Sequence, residues 1–221
     1  AANVARNLIG LGLDVRLAGV TGDDAERRLL LDLLARQGIG VDAVQADPGR
    51  PTTTKTRVVG NHQQMLRIDA ERSEPIAAPV ADALLAAVEP ALDGARVLVL
   101  SDYAKGVLTP SLCARLIAAA RERGVPVLVD PKGTDFGRYR NATLITPNRA
   151  ELAAAVGTGT TDLDGLLEAA AAMRVGLGLE RIVVTLGELG LAVADPSGLR
   201  RIPAVAREVF DVSGAGDTVI A

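Results

Sequence analysis

Two short constellations in this sequence have residue types and spacings that could do chemistry. Near the end stands Asp211-Val212-Ser213-Gly214-Ala215-Gly216-Asp217-Thr218, after a strand-like Glu208-Val209-Phe210 and before a helix-compatible Thr218-Val219-Ile220-Ala221. Glycines at the mouth of a helix let backbone N–H groups converge on one point. The helix dipole adds partial positive charge there, so the place suits a phosphate. Asp217, directly after Gly216, would lie beside that anion. It could take the proton of a hydroxyl attacking phosphorus while the N–H groups hold charge on the phosphoryl oxygens. The same residues also describe a Gly-rich turn before an ordinary helix, with Asp217 as a first-turn acid; so short a motif does not separate the two readings.

The second constellation is Asn148-Arg149-Ala150-Glu151, an amide and a carboxylate three residues apart. On a first helical turn they share a face. They can form a capping box, or Glu151 can help place Mg²⁺ beside nucleotide phosphates. The lysines add a third signal. The chain uses arginine for most of its positive charge, and its lysines are Lys55, Lys105 and Lys132. A mobile ammonium suits a phosphate or an attacking hydroxyl, although a compositional bias toward arginine would leave the same survivors. His62, the single histidine, falls in a turn and is expected in solvent; with no second one there is no histidine metal site or Ser-His-Asp triad. The G-x-x-x-x-G-K-[ST] phosphate loop is absent.

Stepping outward to the scaffold, 221 residues suffice for one sizeable domain with a core. Apolar residues make up 48% and aromatics 2%, so Leu, Val, Ile and Ala must build that core. A net charge of -3 gives no pull toward nucleic acid or an anionic membrane. No apolar run is long enough to span a bilayer. The single cysteine, Cys113, rules out an internal disulfide and reads as buried filler in a helix; a cytoplasmic location fits. The chain opens without Met inside a helix-like run and stops one turn into the helix after Gly216. Both ends read as cut, as in an interior piece of a longer protein.

Periodicity predicts a helix over 1–11, a strand near 15–20, a helix with Leu29, Leu30, Leu33 and Leu34 on one face, and a short strand at 41–44. Residues 51–71 alternate and are β-branched, with a turn at Gly60-Asn61-His62: a hairpin with one polar face, either a sheet edge or a flap over a polar ligand. Beyond residue 75, apolar strands at 97–100, 125–129, 142–146 and 182–185 alternate with helices, and a hairpin closes around Asp195-Pro196-Ser197-Gly198. Apolar strands alternating with helices predict an α/β fold with a mostly parallel sheet covered on both faces. Ligands of such sheets sit beyond the strands' carboxyl ends. Asp102, Lys105, Asp130, Lys132, Asn148, Glu151 and Gly187 all follow strand ends and are expected on one rim.

Gly214-Ala215-Gly216-Asp217 together with Asn148-x-x-Glu151 resembles the ribokinase-like (PfkB) family of sugar kinases, and within it the bacterial D-glycero-β-D-manno-heptose 7-phosphate kinases. Further blocks carry the resemblance: Asn61-x-Gln63-Gln64-x-x-Arg67-x-Asp69, Ser101-Asp102-Tyr103-Ala104-Lys105-Gly106, Asp130-Pro131-Lys132-Gly133-Thr134-Asp135-Phe136 and Arg138-Tyr139-Arg140. The resemblance implies a three-layer αβα core with a small β-hairpin lid, the whole of 1–221 forming one truncated kinase domain. It implies ATP and Mg²⁺ as cofactors and transfer of the γ-phosphoryl group to a sugar hydroxyl. Asp217 would be the base and Gly214, Ala215 and Gly216 the anion hole. Asn148, Arg149, Ala150 and Glu151 would serve ATP and its Mg²⁺, Glu151 directly or through water, with Thr185 and Gly187 beside the nucleotide. Asn3 would face the sugar, with Gln64, Arg67, Asp102, Lys105 and Lys132 on the sugar-phosphate side. For the heptose kinases the product is a 1,7-bisphosphate on the route to ADP-heptose and lipopolysaccharide core. A C-terminal adenylyltransferase often follows, and the lid often forms a homodimer interface. The family's Gly-Gly pair before the asparagine matched by Asn3, and its first strand with a sugar-binding acid, are not in this sequence. Another sugar or nucleoside kinase of the family, or a non-catalytic sensor with the same fold, would carry many of the same residues.

Overall fold

The computed structural model describes residues 1–60, 63–157, 162–205 and 214–221. The turn residues Asn61 and His62 and the segment from Glu208 to Ser213 singled out above lie outside them.

The chain begins with α1 (Ala2–Gly10), β1 (Arg16–Thr21), α2 (Ala25–Arg36) and β2 (Gly40–Ala46). Strands β1 and β2 pair in parallel as a two-stranded sheet of their own. Asp24 starts α2 by accepting the Arg27 N–H, satisfying one of the donors a helix leaves open. The leucines of α2 do not form the single buried face that their spacing predicts. Leu34 packs with Ala5 and Ile39 in a small core, while Leu29 and Leu33 are exposed.

A hairpin follows, β3 (Thr54–Gly60) antiparallel to β4 (Gln63–Ala70). Opposed residues share a face, and faces alternate along a strand. Thr56 lies across from Ile68 and Val58 from Leu66, so one face is largely apolar; Lys55 lies across from Asp69 and Arg57 from Arg67, so the other is charged. Both faces are solvent-exposed.

The remainder alternates as predicted: α3 (Ala78–Leu92), β5 (Leu98–Ser101), α4 (Pro110–Glu122), β6 (Val127–Asp130), β7 (Leu144–Ile145), α5 (Arg149–Val156), α6 (Leu163–Leu177) and β8 (Arg181–Thr185), then the hairpin β9 (Leu191–Asp195) and β10 (Gly198–Ile202), and α7 (Ala215–Ile220). One six-stranded sheet runs β10-β9-β8-β7-β6-β5. Strands β5 to β8 are parallel, and β9 and β10 are antiparallel. The main core is aliphatic, as the scarcity of aromatics requires. Val127, Val129, Ile145, Ile182 and Val184 from the sheet meet Leu112, Leu116, Leu152, Leu166 and Leu167 from the helices. Cys113 is buried among them. Burying such side chains contributes roughly 1.5–3 kcal/mol each. The parallel strands are thereby held rigidly, with their carboxyl ends at one edge.

Candidate functional site

Six of the described elements deliver polar groups to a cavity of about 240 Å³ at that edge, lined by Tyr103, Asp130, Thr146, Asn148, Glu151, Thr185, Gly214, Gly216 and Asp217. Tyr103 follows β5, Asp130 ends β6, Thr146 follows β7, Thr185 ends β8, and the others open α5 and α7.

Asp217 is held at both carboxylate oxygens. Asn3 Nδ2, on α1, donates to Oδ2 at 2.8 Å, and the Tyr103 hydroxyl donates to Oδ1 at 2.7 Å. A second contact ties the same two helices, Asn7 Nδ2 donating to Thr218 Oγ1 at 3.2 Å. Gly214 precedes α7 with φ +80, and a Cβ there would stand 2.9 Å from Asn3 Nδ2. Only glycine adopts that backbone readily and leaves room for the amide that orients Asp217.

Across the cavity, Asn148 and Glu151 form the capping box. Asn148 Oδ1 accepts the Glu151 N–H at 2.9 Å, and Glu151 Oε2 accepts the Asn148 N–H at 3.0 Å. The other Glu151 oxygen accepts from Lys132 Nζ at 2.6 Å. The structural alternative for this pair is thus realised, and the carboxylate still lines the cavity. Asn148 also bridges in parallel to Thr185, continuing the β7–β8 pairing to the rim.

Three carboxylates, Asp130, Glu151 and Asp217, share this small space. Burial pushes Asp130 up to about 6, helped by the negative charges of Glu151 and Asp217. Burial, and then the bond to Asp217, push the Tyr103 phenol up to about 12, so it stays a donor.

The other predicted residues part company here. Arg149 and Ala150 are exposed on the first turn of α5, and Gly187, with φ +62, begins a 3-10 turn after β8. Asp102 ends up at a strand terminus as expected but not on the rim. Its side chain is buried, accepting from the Tyr139 hydroxyl at 2.6 Å and the Ala104 N–H at 2.7 Å, with Arg138 at 3.7 Å. Lys105 reaches Glu71 at 2.6 Å, Lys55 reaches Asp69 and Glu71, and Arg67 reaches Asp69 at 2.8 Å, a charged network at the root of the hairpin. Gln64 lies farther out on β4.

Sequence reasoning passed over Tyr103 as a site residue, although it follows a strand end inside a quoted block. It also missed Arg57, which becomes notable only through its register opposite Arg67. A larger open concavity of about 700 Å³ lies between α4 and the loop after β6. Its arginines are engaged with backbone carbonyls, Arg121 with Asn141, Arg138 with Asp135 and Arg140 with Gly176, and it gathers no comparable chemistry.

A parallel sheet with a polar rim, and a charged hairpin standing off it, define an α/β protein built to hold a small polar ligand at its strand ends. Residues 1–221 match the pfkB family carbohydrate kinases, and the chain belongs to that family. It is 47% identical to the bifunctional protein HldE of Pelobacter propionicus and 49% identical to that of Methylobacillus flagellatus, in each case over all of this chain and 46% of the relative. The chain therefore spans about half the length of the curated relatives it matches. Among solved structures, phosphofructokinase-2 from Escherichia coli in complex with potassium superposes with a TM-score of 0.81 at 25% identity, covering 99% of this chain and 70% of the other. Arabidopsis thaliana ribokinase complexed with ribose and ATP gives 0.73 at 23% identity, covering 98% and 70%. The fold is ribokinase-like.

Proposed function

We propose that this chain is the kinase part of an enzyme that transfers the γ-phosphoryl group of ATP to the 1-hydroxyl of D-glycero-β-D-manno-heptose 7-phosphate, on the route to ADP-heptose and lipopolysaccharide core. Membership of the carbohydrate kinase family and the near-half identity to HldE proteins support this reading. The observation that carries it is Asp217, gripped by Asn3 and Tyr103 in the same cavity as Asn148, Glu151 and Thr185.

In this reading Asp217 takes the proton from the sugar hydroxyl as its oxygen bonds to the γ-phosphorus. The bond from that phosphorus to the bridging oxygen breaks, and ADP leaves. Backbone N–H groups of Gly214, Ala215 and Gly216 face the transferred group, since the first turn of a helix leaves such donors without partners. Asn148, Arg149, Ala150, Thr185 and Gly187 lie on the nucleotide side. Lys132, now on Glu151, turns to a phosphate when ATP enters. Asn3 meets the sugar, and Gln64, Arg67 and Lys105 face its phosphate. Asp102 supports their loop from within.

Magnesium fits the cavity's chemistry. Three carboxylates share it, and Asp130 resists ionisation beside the other two. Among the described residues no three acidic, thiol or imidazole side chains form a closed ligand set. Glu151, directly or through water, would hold the ion together with the phosphates. Bound there, it would offset charge on the β- and γ-phosphates.

The apolar face of the lid hairpin suits a second copy of the chain, giving a homodimer. An adenylyltransferase C-terminal to this chain would account for the greater length of the relatives. A cytoplasmic site of action agrees with these substrates; among the described residues no helix is long and apolar enough to cross a membrane.

The test is Asp217→Asn in the intact protein. Turnover with heptose 7-phosphate is expected to fall by about 10²–10⁴-fold, the usual contribution of such a group. Activity within about tenfold of the parent would remove Asp217 as the base.

A further inference from the structure

The loop from Asp102 to Gly106 touches two distant parts of the molecule. At one end the Tyr103 hydroxyl is bonded to Asp217 at 2.7 Å. Two residues on, Lys105 Nζ is bonded at 2.6 Å to Glu71, the first residue after the returning strand of the lid. Glu71 also accepts from Lys55 on the outgoing strand at 3.1 Å.

The backbone between these side chains is tightly determined. Ala104 holds φ 52, a left-handed conformation unusual for a residue with a side chain, and the Asp102 carboxylate clasps its N–H at 2.7 Å. Gly106 follows at φ +74, and a Cβ there would fall 1.9 Å from the Glu74 carbonyl oxygen. The Gly106 carbonyl accepts the Ile76 N–H at 2.9 Å. Arg50, on the other connection into the lid, donates to the carbonyls of Lys105 at 3.2 Å and Glu74 at 3.1 Å. Both connections to the lid are thus fastened to this loop, and a loop so constrained moves as a unit rather than residue by residue.

We propose that the Asp102–Gly106 loop couples the lid to the catalytic base, with Tyr103 as the positioning residue for Asp217 and the Glu71–Lys105 pair as its attachment to the lid. Movement of the lid root when sugar phosphate binds shifts the loop, and Tyr103 then resets the Asp217 carboxylate. This rests on Asp217 being the base.

The experiment is a double-mutant cycle on kcat in the intact protein, using Tyr103→Phe, Glu71→Gln and both together, with ATP and heptose 7-phosphate. Tyr103→Phe keeps the ring and removes the hydroxyl; kcat should fall about tenfold with KM for ATP unchanged, the signature of a misplaced reacting group. Glu71→Gln should lower kcat about threefold, and the double variant should match Tyr103→Phe alone, since the loop then has nothing to transmit. ATP binding measured by calorimetry should be the same in all three, which a general loss of structure would not allow. Losses that multiply within about twofold would overturn the coupling, as would a kcat for Tyr103→Phe within twofold of the parent. Asp217→Asn, measured alongside, separates the two ideas. If that variant is inactive while the cycle multiplies, only the coupling falls; if it remains active, the base assignment falls first.

Discussion

The cleft and the lid handle charge in opposite ways. In the cleft, Asp130, Glu151 and Asp217 come from three separate elements, and burial with mutual repulsion raises the Asp130 pKa to about 6. At the lid root the charges alternate: Arg67, Asp69, Lys55, Glu71 and Lys105 form a connected chain of opposite signs. Asp69 is held below the usual carboxylate range by Arg67 and then Lys55, and Glu71 by Lys105 and then Lys55. The cleft is rigid because it sits on the ends of buried parallel strands. The hairpin is a two-stranded sheet with both faces in solvent, an arrangement only marginally stable without support. On the stiff frame three carboxylates crowd together with Lys132 paired to one of them, whereas on the two-stranded ribbon each carboxylate meets a cation of its own network.

This contrast can be broken by experiment. The Asp217→Asn test gives the largest expected effect, a loss in kcat, whereas substitution of the hairpin arginines should act on KM. Arg57→Ala with Arg67→Ala is expected to raise KM for heptose 7-phosphate by about 10–100-fold, the worth of charge-assisted hydrogen bonds, with kcat changed less than about threefold. An equal KM change for the sugar without its 7-phosphate would show that the arginines do not read the phosphate. Leu66→Glu, on the apolar face, is expected to turn a dimer into a monomer in sedimentation; an unchanged mass, or a monomeric parent, would end the dimer proposal.

The smallest effect concerns Asp130 and stability. Its folded value of about 6 lies above the ordinary 3.8, so the folded protein binds this proton more tightly than the unfolded chain does. The ionised form therefore costs stability: the penalty is absent below about pH 4, grows as pH rises, and is complete above about pH 6. Asp130→Asn should gain on the parent across that window, by roughly 1 kcal/mol after allowing for solvent screening. Thermal unfolding at intervals between about pH 4 and 7 measures it; a constant difference across that range would show that Asp130 is not raised.

Much of the fold was legible because burial leaves a local trace. Largely apolar segments at 97–100, 125–129 and 182–185 became parallel strands β5, β6 and β8, and the turn at Asp195–Gly198 closed a hairpin, as expected. Asn148 and Glu151 were legible as a pair for the same reason, since spacing on a helix is a local property. Leu29 and Leu33 misled, because periodicity reports which face could be buried and not whether anything packs against it. Asp102 misled in a similar way. Position after a strand end does not say whether a carboxylate turns outward or toward a buried tyrosine.

By itself, the sequence determined the alternation of strands and helices, the aliphatic core, the glycine at the mouth of the last helix and the family. These depend on side-chain volume, backbone freedom and short spacings, which act between near neighbours. Only the tertiary structure decided that Asn3 and Tyr103 grip the two oxygens of Asp217, that Arg57 opposes Arg67, and that one loop touches both lid and base. Those contacts join residues far apart along the chain, and their geometry follows from how whole elements pack.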